Sequence, residues 1–187
     1  LEEQERIVGI SGFTYRPPEA RRDKPKVSAF IEADIPKIEA LEPDLILAFS
    51  DIQADITREL VARGHNVYTF NQRSLAEILQ AIVLIGSLVG KQKEAEALAQ
   101  QLRKRLESLE RAAAELPRRP RVYFEEWPEP MISGIRWVSE LVEIAGGDDI
   151  FAEKSRGSLA KERFVTSEEV IDGNPDVVIA SWCGKKV

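Results

Sequence analysis

Side chains that could perform chemistry are few in this chain, and they do not combine into a catalytic set. His65 is the single histidine, and no serine stands in the Gly-X-Ser-X-Gly pattern of a nucleophile elbow. A Ser–His–acid arrangement would therefore depend on His65, which precedes a strand-like run and is interpreted as a surface loop residue. These residues give no support to hydrolytic catalysis.

Metal-binding side chains are equally sparse. One imidazole argues against a dedicated transition-metal site, because such sites normally combine several nitrogen, sulfur or carboxylate ligands. The acidic group Glu125, Glu126 and Glu129 could hold a hard cation, but its spacing fits no calcium loop. A solvated strand end is the favoured interpretation, and we predict neither a metal nor a cofactor.

The bulk composition is that of an ordinary globular protein. The chain has 187 residues, of which 43% are hydrophobic and 31% charged. A net charge of −6 argues against nucleic-acid binding, and the short basic group of Arg21, Arg22 and Lys24 is interpreted as a solvated loop. The longest apolar run, 81-AIVLIGSLV-89, is about half the length needed to cross a bilayer, so no membrane insertion is predicted.

One phrase occurs twice in the chain. The stretches 34-DIPKIEALEPDLILAFS-50 and 166-TSEEVIDGNPDVVIASW-182 align without gaps as a helix, a turn and a strand. Both begin with a good helix N-cap, Asp34 and Thr166, and Glu169 completes a capping box with Thr166. The repetition predicts two related lobes.

The strands of these lobes are predicted to pair in parallel. Residues 45–48 and 177–180 are continuous apolar runs, the pattern of strands that are covered on both faces. A helix over 51-DIQADITRELVARG-64 and a strand over 65-HNVYTF-70 complete a βαβ unit, which indicates the α/β class. A further helix is predicted at about residues 133–145.

A long helix separates the two halves. Leucine and alanine recur every three or four positions over residues 91–116, within a strongly charged segment, which predicts a helix roughly 40 Å long. Ser74 and Glu77 form a capping box that opens another helix, running through Val89. A coiled-coil dimer helix is the alternative for the long segment. We predict an N-terminal α/β lobe over 1–90, a connecting helix over 91–116 and a C-terminal α/β lobe over 117–187.

The predicted fold is thus α/β, with two Rossmann-like lobes that have parallel sheets and are joined by one long α-helix. The cleft between such lobes is the natural site for a ligand.

In this arrangement the chain resembles the substrate-binding proteins of ABC importers that have a helical backbone, particularly the branch that binds cobalamin and iron siderophores. The resemblance covers nearly the whole chain and implies their chelatase-like fold. It also implies ligand capture without catalysis, so we expect no enzyme. It rests on the segments 8-VGISGFTYRPPEA-20, 38-IEALEPDLILAF-49, 91–116, 145-AGGDDIF-151 and 174-NPDVVIASW-182.

The resemblance implies that aromatic residues of both lobes line the ligand site. Aromatic faces suit a large flat macrocycle such as a corrinoid, since they give wide apolar contact and lose little rotamer entropy. The corresponding first-lobe positions are Phe13, Phe30 and Phe49. Tyr15 and Arg16 differ from the residues that the family more commonly has there, and we include them as the polar side of the pocket.

In the second lobe the resemblance implies Met131, with Trp127 close to it in sequence. Trp182 is added on physical grounds, because it stands at the end of the second copy of the repeated phrase as Phe49 does in the first. Ordinary core packing is the alternative interpretation for Phe49 and Trp182.

Family members dock on their membrane permease through one surface carboxylate in each lobe. Glu168 matches the second-lobe carboxylate, although an acid in the first turn of a helix is also favoured by the helix dipole. The first-lobe position falls on Pro36, so we expect Asp34, or alternatively Glu32, to take its place. The implied location is periplasmic or at the cell surface; the charged opening 1-LEEQER-6 is not a signal peptide.

Family members begin with an earlier strand and helix and continue beyond the last Pro-Asp strand, so the resemblance implies a chain that is truncated at both ends. Uncovered sheet edges favour association with another chain. This leaves a homodimer open.

Four functions therefore compete. The first is a cobalamin-type binding protein. The second is a ferric-siderophore or haem binder on the same scaffold, in which Arg16 or Arg21 binds an anionic chelate. The third is an enzymatic relative of the nitrogenase or chelatase type, which the scarcity of His and Cys disfavours. The fourth is a truncated relative that binds no ligand and acts through dimerisation.

Overall fold

Within residues 1–182, the part of the chain that the structure describes, helices alternate with short strands that pair mainly in parallel. The structure is a computed structural model. The α-helices are α1 (Pro18–Asp23), α2 (Ile35–Glu39), α3 (Ala54–Ala62), α4 (Leu75–Leu88), α5 (Gln92–Ala113), α6 (Arg136–Ile144) and α7 (Ser167–Gly173). The strands are β1 (Ile10–Ser11), β2 (Lys26–Ser28), β3 (Ile46–Phe49), β4 (Val67–Phe70), β5 (Arg121–Pro128), β6 (Met131–Ser133), β7 (Asp148–Asp149) and β8 (Val177–Ala180).

The first unit, Leu1–Gln72, contains two pairs of parallel strands. β1 pairs with β2, and β3 pairs with β4 in a register that places Ile46 beside Val67. Helix α3 crosses between β3 and β4, as the βαβ prediction required, and buries Leu60 against Ile35 and Ile38 of α2. This small core fixes the strands whose ends carry the candidate residues.

The second unit, Arg73–Val187, is built around β5. β7 and β8 pair with β5 in parallel, and β6 pairs with it antiparallel after the turn at Glu129 and Pro130. The prediction that β8 is covered on both faces is wrong for the described chain, since its four residues are exposed and Val178 is exposed by 60%. The predicted C-terminal lobe runs to residue 187, and its last five residues lie outside the description.

The repeated phrase has the same structure in both units. α2 leads into β3, and α7 leads into β8; Asp34 and Thr166 cap the two helices with their side chains as predicted. The residue before the shared proline is left-handed in each copy, with φ of 47° at Glu42 and 42° at Asn174. The shared sequence therefore encodes a shared turn, with a left-handed residue before the proline, that leads from the helix to the strand.

The unit boundary lies earlier than the predicted lobe boundary at residue 90, because α4 is tied to the second unit. The Glu140 carboxylate of α6 accepts a hydrogen bond from the Leu75 amide of α4 at 2.7 Å. α4 also packs closely on α5 at Gly86, where an added Cβ would lie 2.8 Å from the Lys91 carbonyl oxygen and even closer to Ala95. The role of residues 91–116 as a connection between lobes stays a prediction.

The α/β class, the parallel sheets and the long helix are confirmed. Helix α5 spans 22 residues and ends at Ala113, short of the predicted residue 116. Across residues 1–182, none of the helices combines the length and apolar character that a membrane span requires.

The two left-handed residues of the repeat, Glu42 and Asn174, predict opposite changes in stability when each is replaced by the residue type of the other. Asparagine tolerates the left-handed region better than glutamate does. Glu42→Asn should therefore raise the free energy of unfolding by about 0.5–1 kcal/mol, and Asn174→Glu should lower it by a similar amount. Urea unfolding of both variants measures this. A loss of stability in Glu42→Asn, or a gain in Asn174→Glu, would contradict the shared turn.

Candidate functional site

Three phenylalanines of the first unit lie at or just after the carboxyl ends of its strands. Phe13 and Phe30 follow β1 and β2 by two residues each, and Phe49 is the last residue of β3. Because β1 and β2 run parallel, their carboxyl ends meet at one edge, and the rings of Phe13 and Phe30 contact edge to face with centroids 6.2 Å apart. The three rings are exposed by 55%, 54% and 44%. Within this unit, Phe49 is therefore not a core residue.

Gln53 joins two of these aromatic positions. Its Oε1 accepts a hydrogen bond from the Phe49 amide at 2.9 Å, and its Nε2 donates to the Phe30 carbonyl at 3.0 Å. One side chain thus holds the loop after β2 beside the end of β3. No pattern in the sequence marked Gln53, because both bonds go to backbone groups, one of them on a residue 23 positions away.

Arg21 organises the loop that carries Phe13 and Tyr15. Its Nη1 donates to the Gly12 carbonyl at 2.7 Å, and its guanidinium carbon lies 4.5 Å from the centre of the Tyr15 ring. The interpretation of Arg21 as part of a solvated loop is wrong, since it lies in α1 and is half-buried. Arg16 is exposed. We call Phe13, Tyr15, Phe30 and Phe49 the N-terminal aromatic surface.

In the second unit a carboxylate of β5 binds a residue that follows the carboxyl end of β8. The Trp182 indole Nε1, just after β8, donates to Glu125 Oε1 at 2.8 Å, and the Tyr123 hydroxyl donates to Glu125 Oε2 at 3.1 Å. Burial, followed by the charge of Glu125, raises the pKa of Tyr123. We call Tyr123, Glu125 and Trp182 the Glu125 cluster. In the ungapped repeat Trp182 aligns with Ser50, so the predicted equivalence with Phe49 is wrong by one residue.

Trp127 and Met131 flank the turn between β5 and β6. The Trp127 indole donates to the Glu129 carbonyl at 2.9 Å, which fixes the ring to the turn. Met131 is half-buried and packs against the core cluster of Tyr123, Phe151 and Val165. Met131 therefore contributes to the core, and its contact with a ligand stays a prediction.

A buried arginine holds this hairpin. Arg163 is 3% exposed, and its Nη1 donates to Glu126 Oε2 and to the Ser133 carbonyl, both at 2.5 Å. Such partners are needed because an unpaired charge away from water is costly. The interpretation of Glu125, Glu126 and Glu129 as a solvated strand end is wrong for the first two, which are half-buried and engaged.

The predicted docking carboxylates lie at the starts of two helices. Glu168 is exposed in the first turn of α7. Asp34 is also exposed, but its carboxylate accepts a hydrogen bond from the Lys37 amide at 3.1 Å and so caps α2. Their role in docking stays a prediction.

Among residues 1–182, the structure gathers no group of three His, Cys, Asp or Glu side chains that could hold a metal ion. A surface depression of about 380 Å³ lies along α5. It is lined by Ala97, Gln100, Gln101, Lys104, Arg105 and Ser108, so none of the predicted ligand residues lines it.

Comparison with known proteins identifies relatives of the chain along its whole length. A family model described as periplasmic binding protein matches residues 1–187. A cobalamin-binding protein of Halobacterium salinarum is 25% identical over 182 residues, which are 96% of this chain. Because those residues are 49% of that protein, the chain spans about half the length of this relative.

Solved structures share the fold. The periplasmic vitamin B12 binding protein of Vibrio cholerae matches with a TM-score of 0.74 and 24% identity, over 93% of this chain and 67% of that one. A periplasmic heme-binding protein of Roseiflexus sp. RS-1 matches with a TM-score of 0.78 and 20% identity, over 93% and 67% of the two chains. At these identities the likeness shows the fold and leaves the ligand undecided.

The position of Gln53 predicts that it orders the N-terminal aromatic surface. Gln53→Met keeps the side-chain length and removes both hydrogen bonds, each of which is worth about 1 kcal/mol. Exchange of the Phe49 amide hydrogen should accelerate about five- to tenfold, measured by NMR. Gln100→Met, the same change at an exposed position of α5, is the control. Unchanged exchange at Phe49 in Gln53→Met would contradict this role.

Proposed function

The chain belongs to the periplasmic binding protein family, and from that premise we propose that it binds a cobalamin-like corrinoid as the substrate-binding component of an ABC-type import system. The observation that carries the proposal is the N-terminal aromatic surface. Three phenylalanine rings stay exposed there, although covering them would be favourable, and hydrogen bonds hold the backbone around them in place.

A flat macrocycle fits such a surface for two reasons. Phenylalanine has only two side-chain torsions, so little entropy is lost when a ligand covers it. The edge-to-face contact of Phe13 and Phe30 also orients both rings before a ligand arrives. Preorganisation of this kind lowers the cost of binding. The corrinoid ligands named for the relatives in Halobacterium salinarum and Vibrio cholerae agree with this choice.

Haem, or a ferric siderophore, is the second candidate, and Arg21 is the observation that favours it. The guanidinium lies over the ring of Tyr15 within the N-terminal aromatic surface, and a cation next to aromatic rings suits a ligand with carboxylate groups. Relatives of the same fold include a heme-binding protein. Arg21 is already bonded to the Gly12 carbonyl, so we place the corrinoid first.

In this proposal the protein works in the periplasm or at the cell surface and delivers its ligand to a membrane permease. Glu168, exposed in the first turn of α7, is the proposed docking carboxylate of the second unit. Asp34 would have to dock while it caps α2.

Titration of the chain with cyanocobalamin by isothermal calorimetry tests the proposal. We expect saturable binding, weakened about tenfold or more in Phe30→Ala, because an interface loses about 1.4 kcal/mol or more when a central aromatic residue is removed. Leu109→Ala is the control, since Leu109 on α5 has the same exposed fraction, 54%, as Phe30. Absence of binding at high micromolar concentrations would rule out the corrinoid. Equal weakening in both variants would argue against the aromatic surface as the site.

A further inference from the structure

Glu125, within β5, presents a carboxylate beside Trp182, a predicted ligand residue that follows the carboxyl end of β8. Its two oxygens accept hydrogen bonds from the Trp182 indole at 2.8 Å and from the Tyr123 hydroxyl at 3.1 Å. Tyr123 is 2% exposed, and Glu125 is half-buried. The side chain is thus held by a buried hydroxyl and by an indole N–H.

The charge of Glu125 is not balanced by a cation within residues 1–182. Both of its partners are neutral donors, and the ion pairs of that part of the chain leave Glu125 out, although its neighbour Glu126 pairs with Arg163. Neutral donors favour a carboxylate without cancelling its charge. Each oxygen also keeps a lone pair, because a carboxylate can accept about four hydrogen bonds and Glu125 accepts two.

We infer that Glu125 determines ligand class at the second unit by repelling anionic groups and accepting hydrogen bonds from neutral amides. The inference rests on the proposed function, in which Trp182 contacts the ligand. A macrocycle whose rim carries carboxamides brings N–H donors to this carboxylate. A macrocycle whose rim carries carboxylates brings like charge to a half-buried site, where water screens the repulsion only in part.

This role separates the two ligands that the scaffold is proposed to take. Cobalamin carries neutral carboxamide side chains around its corrin ring, whereas haem carries two carboxylates. At Glu125 the first ligand brings N–H donors to a carboxylate whose partners in the described chain, Tyr123 and Trp182, are neutral, whereas the second ligand brings like charge. The Glu125 cluster therefore favours the carboxamide-bearing ligand.

Glu125→Gln tests the inference with little change of shape. The glutamine carbonyl can still accept from Trp182, and its amide can donate to the Tyr123 oxygen, since a tyrosine hydroxyl both donates and accepts. The variant removes the charge and keeps the hydrogen-bonded geometry. Glu129→Gln is the matched control, because Glu129 is exposed on the next turn and the Trp127 indole bonds to its backbone carbonyl.

The measured quantity is the ratio of the dissociation constants of cyanocobalamin and haem, at one pH and two salt concentrations. In Glu125→Gln we expect haem to bind more tightly relative to cyanocobalamin, so that the dissociation constant of cyanocobalamin divided by that of haem rises about tenfold. One like-charge contact near a surface has an effect of this order. Haem binding by the unchanged chain should strengthen with added salt, because salt screens repulsion, and this dependence should weaken in the variant.

Three results would overturn the inference. A ratio that is unchanged in Glu125→Gln, while both ligands still bind, contradicts it and leaves the proposed function standing. Equal shifts in Glu125→Gln and Glu129→Gln would show an effect of net charge and not of the Glu125 cluster. If the unchanged chain binds neither ligand, the proposed function fails, and the inference fails with it.

Discussion

Parallel strand pairing is the constraint on which both candidate surfaces depend. Strands that run in one direction bring their carboxyl ends to one edge, and the loops that leave this edge carry Phe13 and Phe30 in one unit and Trp182 in the other. The same geometry explains why residues far apart in sequence become neighbours. It also explains why one repeated phrase, a helix followed by a strand, produces a candidate surface in each unit.

Polar side chains hold the aromatic groups at these edges. Gln53 bonds to the backbone on both sides of the N-terminal aromatic surface, and Arg21 closes the loop before α1. Glu125 ties Trp182 to β5. Each of these bonds is worth about 1 kcal/mol, and more where a charge takes part, so together they order the segments that carry the aromatic rings. The rings can stay exposed because hydrogen bonds from these polar side chains, and not burial of the rings, hold the segments in place.

The sequence predicted what depends on local pattern. The capping boxes at Ser74 and Thr166, the βαβ unit and the repeated helix and strand are all present, because each follows from residues a few positions apart. What it missed depends on distant contacts. Strand β6 and the burial of Arg163 arise only once the hairpin folds, and the bond of Glu125 to Trp182 arises only once β8 pairs with β5. The exposure of β8 was also missed, since an apolar run does not reveal which of its faces is covered.

In the proposed function, the exposed rings at the strand ends touch the ligand. Fluorine NMR of the chain labelled with fluorophenylalanine tests it directly, since the sequence has seven phenylalanines and single substitutions assign their signals. On addition of cyanocobalamin, we predict that the signals of Phe13, Phe30 and Phe49 shift, whereas those of the buried Phe70 and Phe151 stay in place. Saturable binding without any shift at Phe13, Phe30 and Phe49 would contradict the claim.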